Sequence, residues 1–202
     1  MFIGVSQRLL LNESYYELRE ALALEWGEFF KENLKPFLPL PLSYEIDFKA
    51  YAPHLRGVIL SGGNDLATLN PSPLSLKRDA YEAQILTHCL EENLPLLGIC
   101  RGAQFIAHFF GSTLSPCENH TQEHAIRLTN DTQTTINSFH NYAIATLGQA
   151  LEPLAFAEDG TVEAFRHRGA KIWALMWHIE RANGLNERSI FREWLENLRE
   201  KR

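Results

Sequence analysis

Cysteine and long apolar runs are both scarce in this 202-residue chain, and each scarcity excludes a class of protein. The three cysteines, Cys89, Cys100 and Cys117, are an odd number, which favours reduced thiols over a disulfide framework. No apolar run approaches the length that crosses a bilayer, so we expect no membrane partner. Polar residues follow directly after Met1–Val5, which predicts no signal peptide. The expected location is the cytoplasm.

Positive charge is also in short supply. The chain has 19 Lys and Arg against 25 Asp and Glu, a net charge of −6. This balance predicts no nucleic-acid partner, although it is compatible with a local anion pocket. The sequence contains no internal repeat, low-complexity tract or linker. Because its length suits one α/β domain with a full core and is short for two, residues 1–202 are predicted to form a single domain.

The first half of the chain alternates short apolar runs with helical patterns. Apolar residues at three- and four-residue spacing, from Leu18 to Phe30, predict a long helix that is capped by Asn12 or Ser14 and ends near Leu34. The alternation of strands and helices predicts a doubly wound parallel sheet. The predicted strands are residues 2–5, 37–42, 57–60 and 94–99, and the other predicted helices are residues 47–54, 77–92 and 101–110.

The second half changes to closely spaced short strands. The dipeptide Asp159–Gly160 between two of them is a typical hairpin turn, so this half is predicted to extend the sheet with antiparallel strands. A helix that begins at Glu187 closes the chain. Its basic end, formed by Arg199, Lys201 and Arg202, suits the negative pole of the helix dipole. The strand candidates are residues 125–128, 135–139, 154–157, 162–165 and 172–176.

One cysteine lies where a buried strand gives way to a helix. The motif is Gly98-Ile99-Cys100-Arg101-Gly102. A nucleophile at such a turn is exposed at the carboxyl end of a parallel sheet, and the flanking glycines avoid crowding at the sharp turn. The positive end of the following helix dipole favours the thiolate, which is the reactive form. The alternative is a buried structural cysteine between two chance glycines, and the strand-turn-helix context favours the nucleophile.

A second loop at the same predicted sheet edge contains adjacent glycines. The segment Ser61–Asp65, with the sequence SGGND, directly follows the strand at residues 57–60. Adjacent glycines after a parallel strand leave backbone N–H groups free to point at an anion. An ordinary tight turn is the alternative interpretation, and the neighbouring cysteine nucleophile favours the anion site.

A thiol nucleophile needs a base, and the base needs a partner that orients it. Among eight histidines, His178 is distinctive because it follows the apolar run Ile172–Trp177 and so leaves a buried strand on the same rim as Cys100. Glu180, two residues later, is placed to accept the second imidazole N–H and fix the tautomer. The alternative is a surface histidine near a turn, which is the usual situation of a lone histidine.

These motifs resemble those of the class I glutamine amidotransferases and, among them, the stand-alone γ-glutamyl hydrolases. The resemblance is carried by Gly98–Gln104 together with Trp177–Glu180. It implies a class I glutamine amidotransferase-like fold, which is a flavodoxin-like three-layer α/β/α architecture whose central, mostly parallel sheet has an antiparallel extension. Further matches, which extend the resemblance in order from the third strand to the last, are Ser61–Asp65, Asn137–His140 and Asp159–Glu163.

The resemblance also implies a role for each matched residue in cleaving a small-molecule γ-glutamyl amide through a thioester. Cys100 would attack the γ-carbonyl carbon, His178 would pass its proton to the leaving nitrogen, and Glu180 would orient His178. The implied oxyanion hole consists of Gly62, Gly63 and the backbone N–H of Arg101. The positions that hold the α-amino and α-carboxylate groups of the glutamyl moiety are matched by Gln104, Ser138, Phe139 and His140.

The sequence indicates the leaving group of the substrate less clearly than it indicates the type of reaction. Asn141-Tyr142 stands where the family often has His and Gln, near the leaving-group side, and Ile179 stands where Pro is common in the triad motif. Within the family, the chain most resembles members that release a phosphoramidate, which implies a role in modifying a capsular polysaccharide. The candidates for a phosphate contact are Arg8, Arg78, Arg101 and Arg127, for each of which a solvated or salt-bridged side chain is the alternative.

Two other functions compete with a free-standing hydrolase. A glutaminase subunit would deliver ammonia to a separate synthetase, and a binding module would use the same fold without catalysis. Amidotransferase domains usually carry Leu after the nucleophile, whereas Arg101 resembles the residue found in stand-alone hydrolases, and no synthetase domain is attached. We therefore expect no obligatory synthetase partner.

No cofactor or metal is expected from the sequence. His120 and His124 are four residues apart, as in a helical metal pair, but they lie in a predicted loop that leads to a strand, with no third ligand nearby. Cys89 and Cys117 are interpreted as packing or incidental thiols.

Overall fold

The computed structural model describes residues 1–199 and assigns thirteen strands and five helices to them. The strands are β1 (Phe2–Val5), β2 (Arg8–Leu11), β3 (Leu18–Ala21), β4 (Leu38–Pro41), β5 (Leu55–Leu60), β6 (Leu96–Ile99), β7 (Thr113–Pro116), β8 (His124–Leu128), β9 (Gln133–Ile136), β10 (Tyr142–Thr146), β11 (Leu151–Ala157), β12 (Val162–His167) and β13 (Ile172–Leu175). The helices are α1 (Glu25–Asn33), α2 (Phe48–Tyr51), α3 (Pro73–Glu91), α4 (Arg101–Phe109) and α5 (Ser189–Arg199). A 3₁₀ turn at Ala52–His54 follows α2.

Within these described residues, eleven strands form one sheet. Its order is β4-β1-β5-β6-β13-β12-β11-β8-β9, and β10 pairs with both β12 and β7. The strands from β4 to β13 in this order run parallel, and the remaining pairs are antiparallel. The predicted parallel sheet with an antiparallel extension is therefore confirmed.

The helices cover both faces of the sheet. Successive residues of β5 alternate between two apolar clusters: Val58 and Leu60 pack in the cluster that contains residues of α3 and α4, whereas Ile59 packs in the cluster that contains residues of α1 and α5. This alternation gives the predicted three layers. In the part of the chain that the structure describes, no helix combines the length and the apolar character that a membrane crossing needs.

The predicted helix before residue 34 is wrong in its first half. β2 and β3 form an antiparallel hairpin in a separate two-stranded sheet, and α1 begins only at Glu25. Leu18, which the helical spacing places in the core, is 46% exposed. Glu20 Oε1 holds the hairpin by accepting hydrogen bonds from Ser43 Oγ at 3.0 Å and from the Tyr44 N–H at 2.7 Å. These long-range contacts override the helical spacing.

Other boundaries differ less. α3 begins at Pro73, four residues before its predicted start, because Ser72 caps it by accepting a hydrogen bond from the Ser75 N–H at 3.0 Å. β7 and β10 are strands that the sequence pattern does not predict. The hairpin turn at Asp159–Gly160 joins β11 to β12, as predicted. The predicted basic end of the last helix lies partly outside the described residues, since these exclude Lys201 and Arg202.

Candidate active site

Cys100 occupies the turn between β6 and α4, as predicted. Its backbone adopts φ 51° and ψ −105°, a combination that is rare outside glycine and that marks strained turns at functional sites. A Cβ on Gly102 would lie 2.1 Å from the Leu60 carbonyl oxygen, and one on Gly98 would lie 2.8 Å from the Gly102 carbonyl oxygen. Both glycines are therefore required by close packing, and the thiol stands at the carboxyl end of the parallel strands.

His178 lies beside Cys100 because β13 pairs in parallel with β6. The register places Leu175 opposite Ile99, and the Cys100 N–H donates to the Leu175 carbonyl at 2.8 Å. Asn137 holds the backbone of His178 on both sides. Its Oδ1 accepts from the His178 N–H and its Nδ2 donates to the His178 carbonyl, each at 2.9 Å. The sequence motif alone does not predict this role for Asn137.

The imidazole of His178 is held between a thiol and a carboxylate. Its Nδ1–H donates to Glu180 Oε1 at 2.5 Å, and the ring also hydrogen-bonds to Cys100. Burial lowers the pKa of His178, but the hydrogen bonds with Cys100 and Glu180 outweigh burial and raise the pKa to about 9. The ring is therefore protonated at neutral pH and presents a positive charge to the sulfur of Cys100.

The two-glycine loop after β5 lies against this pair. A Cβ on Gly62 would lie 2.7 Å from His178 Cε1 and 3.6 Å from Cys100 Cβ. Gly63 has a φ of 83°, a left-handed conformation that favours glycine. A side chain at Gly62 would thus displace the imidazole, and the loop backbone itself forms one wall beside the thiol.

Arg78, which is fully buried, determines how this loop presents its backbone. Its guanidinium donates to the carbonyls of Ser61 at 2.6 Å, Gly62 at 3.1 Å and Gly63 at 2.5 Å. In a trans peptide, each C=O points opposite to the N–H of the next residue. The N–H groups of Gly62 and Gly63 consequently point away from Arg78. We call this set of contacts the arginine clamp.

The side chain of Arg101 is directed into the same buried network and forms ion pairs with Glu82 and Asp79. Glu82 also pairs with Arg78, at 2.9 Å. Burial and the neighbouring Arg78 charge lower the pKa of Arg101. Arg101 is the first residue of α4, a position whose backbone N–H has no acceptor within its own helix. Only the N–H of Arg101, and not its side chain, is therefore available to an oxyanion.

These observations distinguish the four arginines that are candidates for a phosphate contact. Arg78 and Arg101 are buried in ion pairs, and Arg127 forms an exposed pair with Asp131 at 3.2 Å. Arg8 instead lines a cavity of about 250 Å³ beside His178, where its side chain packs over Gly63. Arg8 forms no ion pair with any residue that the structure describes.

Gln104 and His140 are brought together by one backbone carbonyl. Gln104 Nε2 donates to the Tyr142 oxygen at 2.8 Å, and His140 Nδ1 donates to the same oxygen at 3.1 Å. His140 is buried, and its Nε2 lies 3.5 Å from Glu163 Oε1. Both ring nitrogens of His140 thus face protein groups, so the imidazole positions the surrounding segment.

Ser138 and Phe139 approach the site from the loop between β9 and β10. Ser138 Oγ donates to the His120 carbonyl at 2.5 Å. The half-exposed ring of Phe139 stands edge-on to the imidazole of His178, with ring centroids 5.6 Å apart. The guanidinium of Arg181, which also lines the 250 Å³ cavity, lies 4.5 Å from the centre of the Phe139 ring. Arg181 is a site residue that the sequence motifs do not mark.

The expectation that His120 and His124 lack a third ligand nearby is wrong. Glu163 Oε1 lies 3.1 Å from His120 Nδ1 and 3.5 Å from His124 Nε2. The antiparallel pairing of β8 and β12 through β11 brings these residues together, and sequence spacing does not show it.

The fold and the Cys-His-Glu arrangement define a class I glutamine amidotransferase-like protein. Two solved structures support the fold. One is a proposed GMP synthase subunit from Thermoplasma acidophilum, with TM-score 0.73, 21% identity and coverage of 98% of this chain and 94% of that chain. The other is a glutamine amidotransferase from Thermotoga maritima, with TM-score 0.67, 19% identity and coverage of 96% and 80%.

Residues 3–180 match the model of the Peptidase C26 family. The γ-glutamyl-CDP-amidate hydrolase of Campylobacter jejuni subsp. jejuni serotype O:2 is 55% identical over 201 residues, which cover 99% of this chain and 100% of the relative. This chain belongs to the Peptidase C26 family. The predictions of an amidotransferase-like fold and of a hydrolase that acts on an amide bond are confirmed.

Proposed function

We propose that this protein hydrolyses γ-glutamyl-CDP-amidate to glutamate and CDP-amidate. The observation that carries the proposal is the full-length, 55% identity with a relative of that name. The cysteine–histidine–glutamate geometry beside a cavity with two arginines supports it further, because the substrate combines a γ-glutamyl amide with an anionic diphosphate. The capsular role that the sequence resemblance implies is part of the same proposal.

In the proposed first step, the Cys100 thiolate attacks the γ-carbonyl carbon. The carbonyl oxygen gains the negative charge, and the N–H groups of Gly62, Gly63 and Arg101 stabilise it. His178 then gives its proton to the amide nitrogen, the C–N bond breaks, and the phosphoramidate leaves while a γ-glutamyl thioester remains on Cys100.

In the second step, water replaces the leaving group. Neutral His178 takes a proton from this water as the oxygen attacks the thioester carbonyl, and the same N–H groups stabilise the second oxyanion. Collapse of this intermediate breaks the C–S bond, releases glutamate and restores the thiolate–imidazolium pair. Glu180, which accepts from His178 Nδ1 at 2.5 Å, keeps the imidazole oriented through both steps.

The glutamyl end of the substrate is proposed to lie between α4 and the β9–β10 loop. Gln104 and the 138–140 segment converge there on the Tyr142 carbonyl and on the imidazole of His178. We assign Gln104, Ser138, Phe139 and His140 to holding the α-amino and α-carboxylate groups. His140 acts through the position of its segment, since its own ring nitrogens face Tyr142 and Glu163.

The substrate is best tested by turnover of the isolated protein. We expect kcat/KM for γ-glutamyl-CDP-amidate to exceed kcat/KM for γ-glutamyl-aminobutyrate and for glutamine, because only the first has an anionic diphosphate in its leaving group for the arginines of the cavity. A preference for either of the other two amides would overturn the nucleotide assignment.

The same assay tests whether a partner is needed. Turnover that required an added synthetase would support a glutaminase subunit, against our proposal that no obligatory partner exists. The cytoplasmic location remains part of this proposal.

Replacement of Arg8 by glutamine is expected to raise KM for γ-glutamyl-CDP-amidate by roughly 10–100-fold. The reason is that a hydrogen bond to a charged group contributes about 1.5–3 kcal/mol. The rate with glutamine, which has no phosphate, should stay unchanged. Arg127→Gln is the matched control, since Arg127 lies on β8 in an exposed pair with Asp131. Equal losses with both substrates would show that Arg8 acts on the fold and not on the leaving group.

The pH profile of the reaction should reveal the role of Glu180. Because the pKa of His178 is about 9, we expect kcat/KM to fall as the pH rises through that value and the imidazolium that protonates the leaving nitrogen is lost. Glu180→Gln weakens one of the interactions that raise this pKa, so the alkaline limb should move to lower pH. Ionisation of the substrate is common to both enzymes, so the displacement reports on His178. Superimposable profiles would contradict the positioning role of Glu180.

A further inference from the structure

Three histidines surround one buried carboxylate in the antiparallel half of the sheet. Glu163 on β12 is fully buried, and its Oε1 lies 3.1 Å from His120 Nδ1 and 3.5 Å from the Nε2 atoms of both His124 and His140. We call these four residues the histidine cluster. They come from three separate parts of the chain, and the proposed hydrolysis does not use His120, His124 or Glu163.

The hydrogen bonds indicate which nitrogen of two imidazoles carries the proton. His140 Nδ1 lies 3.1 Å from the Tyr142 carbonyl, and His124 Nδ1 lies 3.4 Å from the Gln122 carbonyl. A carbonyl oxygen only accepts, so Nδ1 is the protonated nitrogen in both rings. In a neutral imidazole Nε2 is then a bare acceptor. Both Nε2 atoms face the carboxylate of Glu163, which is also an acceptor.

Acceptors that face one another in a buried site need a positive centre between them. His124 Nε2, His140 Nε2 and Glu163 Oε2 are buried atoms without a hydrogen-bond partner among residues 1–199. Protonation of both imidazoles would supply the missing donors, but it would place two positive charges against a single carboxylate. One divalent cation satisfies the same atoms while the imidazoles stay neutral.

Three members of the cluster, His120, His124 and Glu163, place their ligand atoms within 4.8 Å of one another, as the ligands of one zinc ion do. Ligand atoms at the usual distances from Zn²⁺ are about 3.3 Å apart, and the centroids of two coordinating imidazoles are about 5 Å apart. Here the three nitrogen-to-oxygen distances are 3.1, 3.5 and 3.5 Å. The ring centroid of His120 lies 4.6 Å from that of His124 and 5.0 Å from that of His140, close to the expected value. The rings of His124 and His140 are 6.5 Å apart, so the His140 ring would move inward to complete the set of four ligands. Three imidazoles and one carboxylate are also donors that zinc prefers.

The outer partners of the cluster follow the pattern of metal-binding histidines. A coordinating imidazole nearly always donates its other N–H to a carboxylate or a backbone carbonyl, which fixes the ring. Asp159 Oδ2 lies 3.0 Å from His120 Nε2, in a position to accept such a bond. The carbonyls next to His124 and His140 serve the other two rings. Every histidine of the cluster thus has one nitrogen held from outside and one directed at Glu163.

We propose that the histidine cluster is a structural zinc site in which His120 Nδ1, His124 Nε2, His140 Nε2 and the carboxylate of Glu163 are the four ligands. Four protein ligands leave no open position for a substrate, which is typical of structural rather than catalytic zinc. The ion would join the loop after β7, the start of β8, β12 and the β9–β10 loop. That last loop carries Asn137, whose side chain holds the backbone of His178. The site would therefore stabilise the surroundings of the base.

The test measures zinc content and affinity directly and does not depend on the identity of the substrate. The protein is produced in zinc-supplemented medium, purified without immobilised metal, and analysed by elemental mass spectrometry. We expect about one zinc ion per chain, a fall in Tm on removal by a chelator, and recovery of Tm when Zn²⁺ is added back. Competition with a chromophoric chelator should show that His124→Ala raises the zinc Kd at least about 100-fold, since even loss of an outer partner costs about 10–100-fold.

His108→Ala is the matched control, because His108 is an exposed histidine on α4, outside the cluster. It should keep the wild-type zinc content and Kd. Wild-type protein that carries no zinc and whose Tm does not respond to Zn²⁺ would overturn the proposal, and this measurement stands even if His124→Ala fails to fold. Equal zinc Kd values for wild type and a folded His124→Ala protein would also overturn it.

Discussion

Replacement of Cys100 by alanine is expected to lower kcat for γ-glutamyl amides by at least about 10⁴-fold, because no other group at the β6–α4 turn is able to form the thioester. The binding of substrate should change little, since the alanine removes only the thiol. Rapid-quench kinetics would measure the residual rate. Mass spectrometry of the acid-quenched wild-type enzyme should show a γ-glutamyl adduct on Cys100, and this adduct should be missing from the variant.

Cys117→Ser provides the control for this experiment. Burial raises the pKa of the Cys117 thiol to about 11, with a further contribution from Glu163, so this thiol is protonated and unreactive at neutral pH. The variant should keep full activity and full labelling of Cys100 by a glutamine-mimicking alkylator. An adduct on Cys117, or activity that survives Cys100→Ala, would exclude the proposed nucleophile. Absence of labelling together with absence of turnover would favour a binding module on this fold.

Replacement of Arg78 by methionine is expected to reduce both stability and rate. Removing the guanidinium leaves three carbonyls without their donor and removes one partner of buried Glu82. Loss of one partner from a buried ion pair costs about 3–5 kcal/mol, which urea unfolding would measure. The loop of Gly62 and Gly63 would also lose the contacts that orient its N–H groups, so kcat should fall by about 10²–10³-fold, as when an oxyanion donor is lost.

Two further variants separate the structural and catalytic contributions of the arginine clamp. Arg127→Met removes an exposed ion pair and should change the free energy of unfolding by less than about 0.5 kcal/mol. Arg78→Lys keeps the positive charge but lacks the planar fork that reaches three carbonyls. It should recover much of the stability and little of kcat. If kcat recovered in step with stability, the clamp would be a packing feature with no influence on the oxyanion site.

The positions of Cys100 and His178 at the ends of strands are the part of the candidate site that the sequence predicts best. Cys100 and His178 each follow a short, fully apolar run, and the carboxyl ends of parallel strands meet at one edge of a sheet. Local pattern therefore locates both side chains on the same rim, and β13 and β6 pair in parallel in the structure. The glycines beside Cys100 are marked in the same way, and close packing at the turn requires them.

Contacts between distant segments account for what the sequence did not predict. Leu18, Trp26 and Phe30 share a helical spacing, yet Leu18 belongs to a hairpin because Glu20 is bound by the loop after β4. Arg78 and Glu82 are one helical turn apart on α3, a spacing that is typical of a solvated surface pair. In the structure both side chains are fully buried, and Arg101 from α4 pairs with the same Glu82. Spacing along one chain segment carries no information about such partners.

The β2–β3 hairpin lies outside the main sheet, so it is able to change in sequence without moving the strands that carry Cys100 and His178. Cys100, His178 and the two-glycine loop lie at the ends of strands of the main sheet, whereas one wall of the neighbouring cavity comes from Arg8 and residues 21–23, which lie on or beside the hairpin. Under the proposed assignment of Arg8 to the leaving group, bond cleavage and the choice of leaving group are carried by separate parts of the fold. Exchange of the hairpin between homologues would be a direct route to new amide substrates, since the reacting groups would keep their positions.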